Sequence, residues 1–146
     1  MTGLREVVER LRPRLRIFRD ERGRELFDVP DAPLPDPEIP APPRFLPWLE
    51  NALLSHDDRT RIISEEYRKI ITSERWNAPV VLVDGFVHGT WTIEATRGKA
   101  TLVIEPFEPL LKEDRDAVAE EGERLVRFMV PPEDAEASEI QFAETR

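Results

Sequence analysis

The chain contains no cysteine among its 146 residues and only two histidines, His56 and His88. The absence of cysteine excludes disulfides, thiol nucleophiles and thiolate metal sites, and it is typical of proteins from a reducing compartment. No apolar run approaches the roughly 20 residues that a membrane-spanning helix needs. No basic start followed by an apolar segment suggests a secretion signal. We therefore expect a cytoplasmic protein without a membrane anchor, a metal ion or another cofactor.

The charge of the chain is divided along its length. Charged residues make up 35% of the sequence, and the net charge of −9 opposes binding to nucleic acid. Between Arg12 and Arg24, however, six arginines stand against two acids, whereas thirteen acids face five bases from Glu105 to the end. A local basic patch can outweigh the total charge. The simpler alternative is that these arginines only keep an exposed hairpin soluble.

The first 29 residues combine a helix with a hairpin. Apolar residues at helical spacing predict a short amphipathic helix over residues 3–12, and Pro13 ends it because proline lacks the backbone donor. Alternating arginine and apolar residues then predict one strand, and residues 25–29 predict a second after the turn at Arg22-Gly23. A helix followed by an arginine-rich hairpin is the arrangement of the last helix and wing of a winged helix.

Residues 30–47 contain eight prolines, which favour an extended and fairly stiff conformation. We interpret this segment as a linker strapped over the surface. A docking ligand for a proline-binding module is the less common use of such a segment.

Residues 48–130 predict a helical segment, an antiparallel β-meander and a long helix. Asp84-Gly85 and Arg97-Gly98 supply the turns of the meander, and its middle strand alternates with Trp91, Ile93 and Ala95 inward and Thr90, Thr92 and Glu94 in water. A helix over residues 110–129 has an apolar stripe that can cap the meander. The acidic residues 131–146 predict a disordered tail.

The sequence therefore predicts an α+β protein: a partial winged helix over residues 1–29, a Pro-rich strap over 30–47, and a β-meander or small barrel capped by a C-terminal helix. Trp91 is expected in its core, since tryptophan buries a large area.

The polar block at residues 55–61 follows an apolar run. Ser55, His56 and Asp57 are adjacent in sequence, but a catalytic triad needs residues that converge in space. A metal site built from His56, Asp57, Asp58 and His88 lacks the usual ligand spacing. We expect structural roles instead, with the His56 imidazole bonded to backbone at a helix junction. Asp58 would form a local salt-bridge corner with Arg59 and Arg61.

Four segments together resemble a known family. They are Pro43–Arg61, which contains Arg-Phe-Leu-Pro and Leu-Leu-Ser-His-Asp-Asp-Arg, and the segments Val81–Trp91, Gly98–Phe107 and Arg19–Asp28. These segments resemble the winged-helix DNA-binding superfamily that includes the azinomycin-resistance and crosslink-unhooking DNA glycosylases. The resemblance covers about residues 4 to 130. His88 stands where this family is expected to have a small residue.

The resemblance implies tandem winged helices that form a concave DNA-facing surface, and hydrolysis of the bond between an alkylated base and its sugar. It also implies that the catalytic Gln-aliphatic-Gln motif lies in an N-terminal part that this chain does not contain. Ile140-Gln141-Phe142 is not that motif. We therefore expect the chain to correspond to the C-terminal portion of such a protein and to have no catalytic residues and no enzymatic activity.

Two functions remain open at this stage. The first is a DNA-binding accessory module whose arginines contact phosphates. Its expected contacts are Arg14, Arg16, Arg19, Arg22 and Arg24 on the hairpin, with Arg59 and Arg61 as further candidates. The second is a protein-interaction fragment that self-associates or docks onto a missing N-terminal region through an exposed apolar face.

Overall fold

The computed structural model describes residues 3–74, 78–96, 98–135 and 137–144. The chain divides into two compact units, Met1–Ile39 and Pro40–Arg146. Helices and strands are both present, and the strands form a two-stranded and a five-stranded sheet, so the predicted α+β class is confirmed. None of the helices in the described ranges combines the length and apolarity that crossing a bilayer requires.

The first unit is a helix followed by a hairpin, as predicted. Helix α1 spans Leu4–Leu11, and a 3-10 turn follows at Arg12–Arg14, where Pro13 stops the α-helix. Strands β1 (Arg16–Arg19) and β2 (Glu25–Asp28) pair antiparallel. The paired strands confirm the hairpin, while its interpretation as the wing of a winged helix stays a prediction.

The 3-10 turn is fixed to the hairpin by Arg12. Its Nη2 atom donates to both carboxylate oxygens of Glu25 at 2.7 Å. The hydrogen bond to Glu25 raises the pKa of Arg12 above its ordinary value. The guanidinium also lies 5.5 Å from the centre of the Phe27 ring. Arg12 is therefore occupied by contacts inside the unit.

The second unit is built on a mixed sheet with the strand order β3-β4-β5-β6-β7. Its elements, in chain order, are β3 (Arg44–Leu46), α2 (Asn51–Leu54), α3 (Glu65–Glu74), β4 (Val80–Val83), β5 (Phe86–Thr96), β6 (Lys99–Pro106), α4 (Lys112–Met129), α5 (Pro132–Ala135) and β7 (Glu139–Phe142).

The antiparallel meander β4-β5-β6 is confirmed. Asp84 and Gly85 connect β4 to β5 with φ angles of 48° and 78°. Aspartate and glycine tolerate this left-handed conformation better than other residues, which is why the dipeptide marks a hairpin turn. Gly98 has a φ of 84° in the next turn, while its predicted partner Arg97 lies outside the described residues.

A bulge in β5 changes the expected alternation. Leu82 pairs with Val87 and Val81 pairs with Gly89, so His88 is the extra residue. Thr90 was predicted to face water but is 4% exposed. The error arose because both faces of this part of the sheet are covered. Val81 and Trp91 belong to one apolar cluster, and Val80 and Val87 belong to another on the opposite face, with residues from the 46–71 segment.

Helix α4 covers the first of these faces, as predicted. Val118 and Val126 are fully buried against Leu102 and Ile104 of β6. The two elements approach closely at Gly122, where an added Cβ atom would lie 2.9 Å from Leu102 Cδ2. The meander is therefore capped by the long helix.

Three expectations for the second unit were wrong. The segment Arg44–Leu46 was assigned to the strap but forms edge strand β3, where proline neighbours do not interrupt pairing. The tail is not wholly disordered, because β7 pairs in parallel with β6 and Ile140 packs on the core. The order of the strands also shows an open sheet within the described residues, and so no closed barrel.

Candidate nucleic-acid interface

The predicted arginines lie on the surface of the hairpin of the first unit, except Arg14, which is in the 3-10 turn before it. All five predicted hairpin contacts have exposed side chains: Arg14, Arg16, Arg19, Arg22 and Arg24. Exposed guanidinium groups can form bidentate hydrogen bonds with phosphate oxygens, so the chemistry of the hairpin suits a polyanion.

Strand β1 carries two of these arginines, Arg16 and Arg19, on opposite faces. Arg16 pairs with Asp28 and Arg19 pairs with Glu25 across the ladder. Successive side chains of a strand point to opposite faces of the sheet. Arg16 and Arg19 are three positions apart, so their side chains lie on opposite faces. The Arg16 guanidinium lies 4.7 Å from the centre of the Phe18 ring, whereas an Arg19 nitrogen lies 3.9 Å from a Glu25 oxygen. The positive charge is therefore less neutralised at Arg16 than at Arg19.

The tip of the hairpin is organised by Asp20. Its Oδ1 atom accepts hydrogen bonds from the backbone N–H groups of Arg22 and Arg24 at 3.0 and 2.7 Å. Its Oδ2 atom accepts from Arg24 Nε at 2.6 Å. Desolvation favours the neutral acid, but these hydrogen bonds together outweigh it and lower the pKa of Asp20. The carboxylate thus fixes the backbone positions from which the side chains of Arg22 and Arg24 project.

Arg59 of the second unit has a structural role at the end of α2. Its Nε atom donates to the His56 carbonyl oxygen at 2.9 Å, and its Nη2 atom donates to the Leu54 carbonyl oxygen at 3.4 Å. Carbonyl groups at the end of a helix lack hydrogen-bond donors within the helix, and the Arg59 guanidinium provides these donors. Two of its donors are therefore engaged before any phosphate arrives.

The rest of the polar block also forms a structural corner. His56 is exposed, and its backbone carbonyl accepts from Arg59, although the imidazole was predicted to make the backbone contact. The Asp58 Oδ1 atom accepts from the backbone N–H and the hydroxyl of Thr60 at 3.1 and 2.7 Å. Arg61 is exposed beside this turn. Among the described residues, no group of three or more histidine, aspartate or glutamate side chains is placed to hold a metal ion.

Trp91 is a core residue, as expected. It is 6% exposed, and its Nε1 atom donates to the Leu46 carbonyl oxygen at 3.0 Å. Its ring meets the Phe45 ring edge to face, with 5.8 Å between the centroids. Trp91 therefore joins β5 to β3 and leaves no face for stacking with a base.

A family model matches most of the chain. The family described as "DNA glycosylase AlkZ-like" matches residues 1–128, and the chain belongs to this family. This match confirms the predicted resemblance to DNA glycosylases at the level of the family. The expected correspondence to a C-terminal portion stays a prediction.

One solved structure is similar to most of the chain: the Streptomyces sahachiroi DNA glycosylase AlkZ. The similarity has a TM-score of 0.63 at 23% sequence identity and covers 96% of this chain. This chain spans 36% of the length of that structure. No curated protein matches the sequence. At this identity the similarity supports the fold alone.

The prediction that the chain is not an enzyme was wrong. The glycosylase family covers residues 1–128, nearly the whole chain, and membership in it points to an enzyme. The prediction depended on a single missing glutamine motif, which was only implied by the resemblance. A family match along nearly the whole chain is stronger evidence about enzymatic activity than the absence of that motif.

Sequence patterns did not reveal the backbone of Leu49, which has a φ of 62° between β3 and α2. The usual signal for such a conformation is a glycine or an asparagine, and neither stands there. Leu49 was predicted to belong to the helical segment that follows Trp48, but α2 begins only at Asn51, and both Trp48 and Leu49 are exposed in the structure.

Proposed function

We propose that the chain takes part in a DNA glycosylase reaction, the cleavage of the bond between a base and its sugar, and that it contributes contacts to the DNA. The observation that carries this proposal is the glycosylase family match along residues 1–128. The similarity in fold to a solved DNA glycosylase supports it. The chain spans 36% of that structure, so base release by the chain itself is part of the proposal and needs its own test.

We further propose that the hairpin β1–β2 contacts the phosphate backbone. Its arginines are exposed, and the carboxylate of Asp20 fixes the tip from which Arg22 and Arg24 project. Phosphate contacts supply affinity and orientation without reading sequence, which suits a protein that must search for rare damaged bases. Arg61 is a further candidate, while Arg59 contributes mainly by holding the end of α2.

Two measurements on the full chain test this proposal. Incubation with an alkylated duplex is expected to release free base, which chromatography detects. Binding to an intact duplex is expected to weaken with salt, and five phosphate contacts give a slope of about −4.5 in log K against log salt. A chain that releases no base is not a glycosylase by itself, and binding that ignores salt excludes the phosphate contacts.

A matched pair of variants locates the contact. Replacing the five hairpin arginines by glutamine is expected to remove most of the slope. Replacing Arg124 and Arg127 of α4 by glutamine is expected to leave it unchanged, because acids adjoin both side chains. Equal effects of the two variants would show a general charge effect and no interface at the hairpin.

A second candidate function is association through the first unit. Leu4, Val7 and Phe27 are 63%, 48% and 40% exposed, and α1 buries none of its residues. Apolar side chains exposed in this number favour contact with another protein surface. Light scattering tests it: a monomer at all concentrations excludes self-association, and a dimer weakened by Val7→Glu supports it.

A further inference from the structure

A groove of the second unit lies between the start of α4 and the end of β7. Its volume is about 420 Å³, within the range of about 300–1,000 Å³ that small-molecule sites occupy. It is lined by Pro106, Pro109, Leu110, Arg115 and the residues Phe142–Glu144. None of these residues belongs to the polar block or to the arginine hairpin. The groove is therefore a separate feature of the chain.

The apolar part of the groove is held in place by the sheet. Pro106 is the last residue of β6 and is buried, and Leu110 and Phe142 pack against the core of the second unit. The Ala143 N–H group donates to the Ile104 carbonyl oxygen at 2.8 Å, beside the pairing of β7 with β6. Proline fixes its own φ angle, so the two prolines stiffen the lining. A groove that is already formed loses little entropy when a flat apolar group enters it.

Arg115 supplies the positive charge of the groove. Its guanidinium carbon lies 4.1 Å from the centre of the Phe142 ring, as in a cation–π contact. Within the described ranges no carboxylate forms an ion pair with Arg115, whereas Arg124 and Arg127 of the same helix each pair with a glutamate. Because the N–H groups of a guanidinium lie in one plane, they can donate in pairs to a phosphate while its face contacts a ring.

Acidic residues limit the positive potential around Arg115. Glu144 lines the same groove, and Asp114 and Asp116 adjoin Arg115 in the sequence. Lys112 neutralises Asp116 through a contact of 2.5 Å. Repulsion by the remaining acids grows with the number of phosphates that approach. The groove therefore suits a ligand with one phosphate better than the surface of a duplex.

We propose that the groove binds one unstacked nucleotide, with its base against the apolar lining and its phosphate at Arg115. The volume suits a base with its sugar, and the guanidinium matches the phosphate. A base within a duplex is stacked and does not enter, so the nucleotide is either an unpaired nucleotide of DNA or a free nucleotide. The inference rests on the proposed DNA function only in the first of these cases.

Titration of the full chain with deoxyadenosine monophosphate tests the groove. NMR shifts of the Arg115 and Ala143 amides report binding there, and deoxyadenosine and inorganic phosphate are the two partial ligands. The complete nucleotide is expected to bind about tenfold more tightly than either, because only the nucleotide uses both the lining and the guanidinium. Inorganic phosphate that binds as tightly as the nucleotide overturns the proposal. A nucleotide that leaves both amides unmoved overturns it as well.

Three substitutions separate the charge of the groove from its folding. Arg115→Gln is expected to weaken nucleotide binding about tenfold through loss of a charge-assisted hydrogen bond. Glu144→Gln is expected to strengthen binding about threefold, because it removes a negative charge from the groove, and a misfolded variant would not gain affinity. Arg127→Gln is the matched control, since Arg127 pairs with Glu123 on the same helix, and affinity should stay within about twofold. Equal binding by Arg115→Gln and the wild type, or weaker binding by Glu144→Gln, contradicts the assignment.

Competition with DNA distinguishes the two sources of the nucleotide. A single-stranded oligonucleotide that displaces deoxyadenosine monophosphate assigns the groove to DNA, and one that does not assigns it to a free nucleotide. An intact duplex that displaces the nucleotide equally well overturns the requirement for an unstacked base. Salt-dependent duplex binding without nucleotide binding overturns the groove alone. Nucleotide binding without duplex binding or base release overturns the proposed DNA function alone.

Discussion

Asp20 and Arg24 close the tip of the β1–β2 hairpin through three hydrogen bonds. The Asp20 carboxylate accepts the backbone N–H and the Nε–H of Arg24, and Asp20 N–H donates to the Arg24 carbonyl at 3.0 Å. The Asp20 side chain is 1% exposed beneath the guanidinium. An acid at the centre of a basic hairpin therefore has a structural role, because it sets the direction of the arginines.

The Asp20→Ala variant is expected to loosen the hairpin tip. The amide hydrogens of Arg22 and Arg24 lose their acceptor, so their exchange with solvent should accelerate while exchange within α4 stays unchanged. Duplex affinity should fall even though an acidic residue has been removed. Hydrogen exchange followed by NMR checks the first expectation. An affinity that rises would show that charge, and not the arrangement of the tip, governs binding.

The same carboxylate gives the hairpin a defined pH dependence. Its pKa in the folded chain is lowered below the ordinary value of about 3.9. Because the pKa is lower in the folded chain than in the unfolded chain, the ionised carboxylate stabilises the hairpin at pH values above the unfolded pKa. This stabilisation is lost as the pH falls through the folded pKa. Exchange at Arg22 should therefore be constant from pH 7 to about 4 after correction for intrinsic rates. It should accelerate only below that range, and an earlier change would contradict the assignment.

Arg16 and Arg19 are expected to contribute unequally to DNA binding. They lie on opposite faces of the hairpin, and Arg19 adjoins Glu25 at 3.9 Å. Arg16→Gln should reduce the salt slope by about 0.9, the value of one phosphate contact, and Arg19→Gln should reduce it by less. Titrations at four salt concentrations measure both slopes. Equal slopes would show that both faces of the hairpin contact DNA.

Local patterns predicted the elements whose folding depends on nearby residues. The turn at Asp84-Gly85 fixes the register of β4 and β5, and apolar spacing fixes the face that α4 buries. The arginine hairpin was found for the same reason, because strand alternation and a turn lie within a few residues. These parts of the fold could therefore be predicted from the sequence.

The remaining errors depend on contacts distant in sequence. Thr90 is buried because residues from the 46–71 segment cover its face of the sheet, which strand alternation alone does not show. Strand β7 forms because β6 offers an unpaired edge, and no local pattern in an acidic tail indicates that partner. The positive φ of Leu49 lies between β3, which Trp91 of a different strand holds through the Leu46 carbonyl, and the start of α2.

Gly89→Ala is expected to destabilise the second unit strongly. A Cβ atom at this position would lie 2.6 Å from the Glu105 carbonyl oxygen and 2.9 Å from Pro106 Cα. Both are backbone atoms of the paired strand, so relief requires the strands to separate, at a cost of about 1–3 kcal/mol or more. Gly122→Ala is the comparison, because its 2.9 Å contact is a Leu102 methyl group and alanine favours the helix. Urea unfolding should rank Gly89→Ala as the more damaging.

Trp91→Phe tests the anchor between β5 and β3. The variant removes the part-buried hydrogen bond from the indole to the Leu46 carbonyl, and loss of such a hydrogen bond costs about 0.5–1.5 kcal/mol. Trp48→Phe is the matched control, since Trp48 is 61% exposed and surface substitutions usually change stability by less than about 0.5 kcal/mol. Urea unfolding followed by circular dichroism measures both. Similar midpoints would show that the indole hydrogen bond does not hold β3 in place.

Ile140→Ala tests whether the acidic tail belongs to the fold. Ile140 packs on the core formed by β6 and α4, whereas Gln141 is exposed on the other side of β7. Truncation of a fully buried isoleucine to alanine lowers the free energy of unfolding by about 2–5 kcal/mol. Because Ile140 is half-buried, Ile140→Ala should lower it by about 1–2 kcal/mol. Gln141→Ala should change the free energy of unfolding by less than about 0.5 kcal/mol. Because a disordered segment responds to neither substitution, two silent variants would contradict the pairing of β7 with β6.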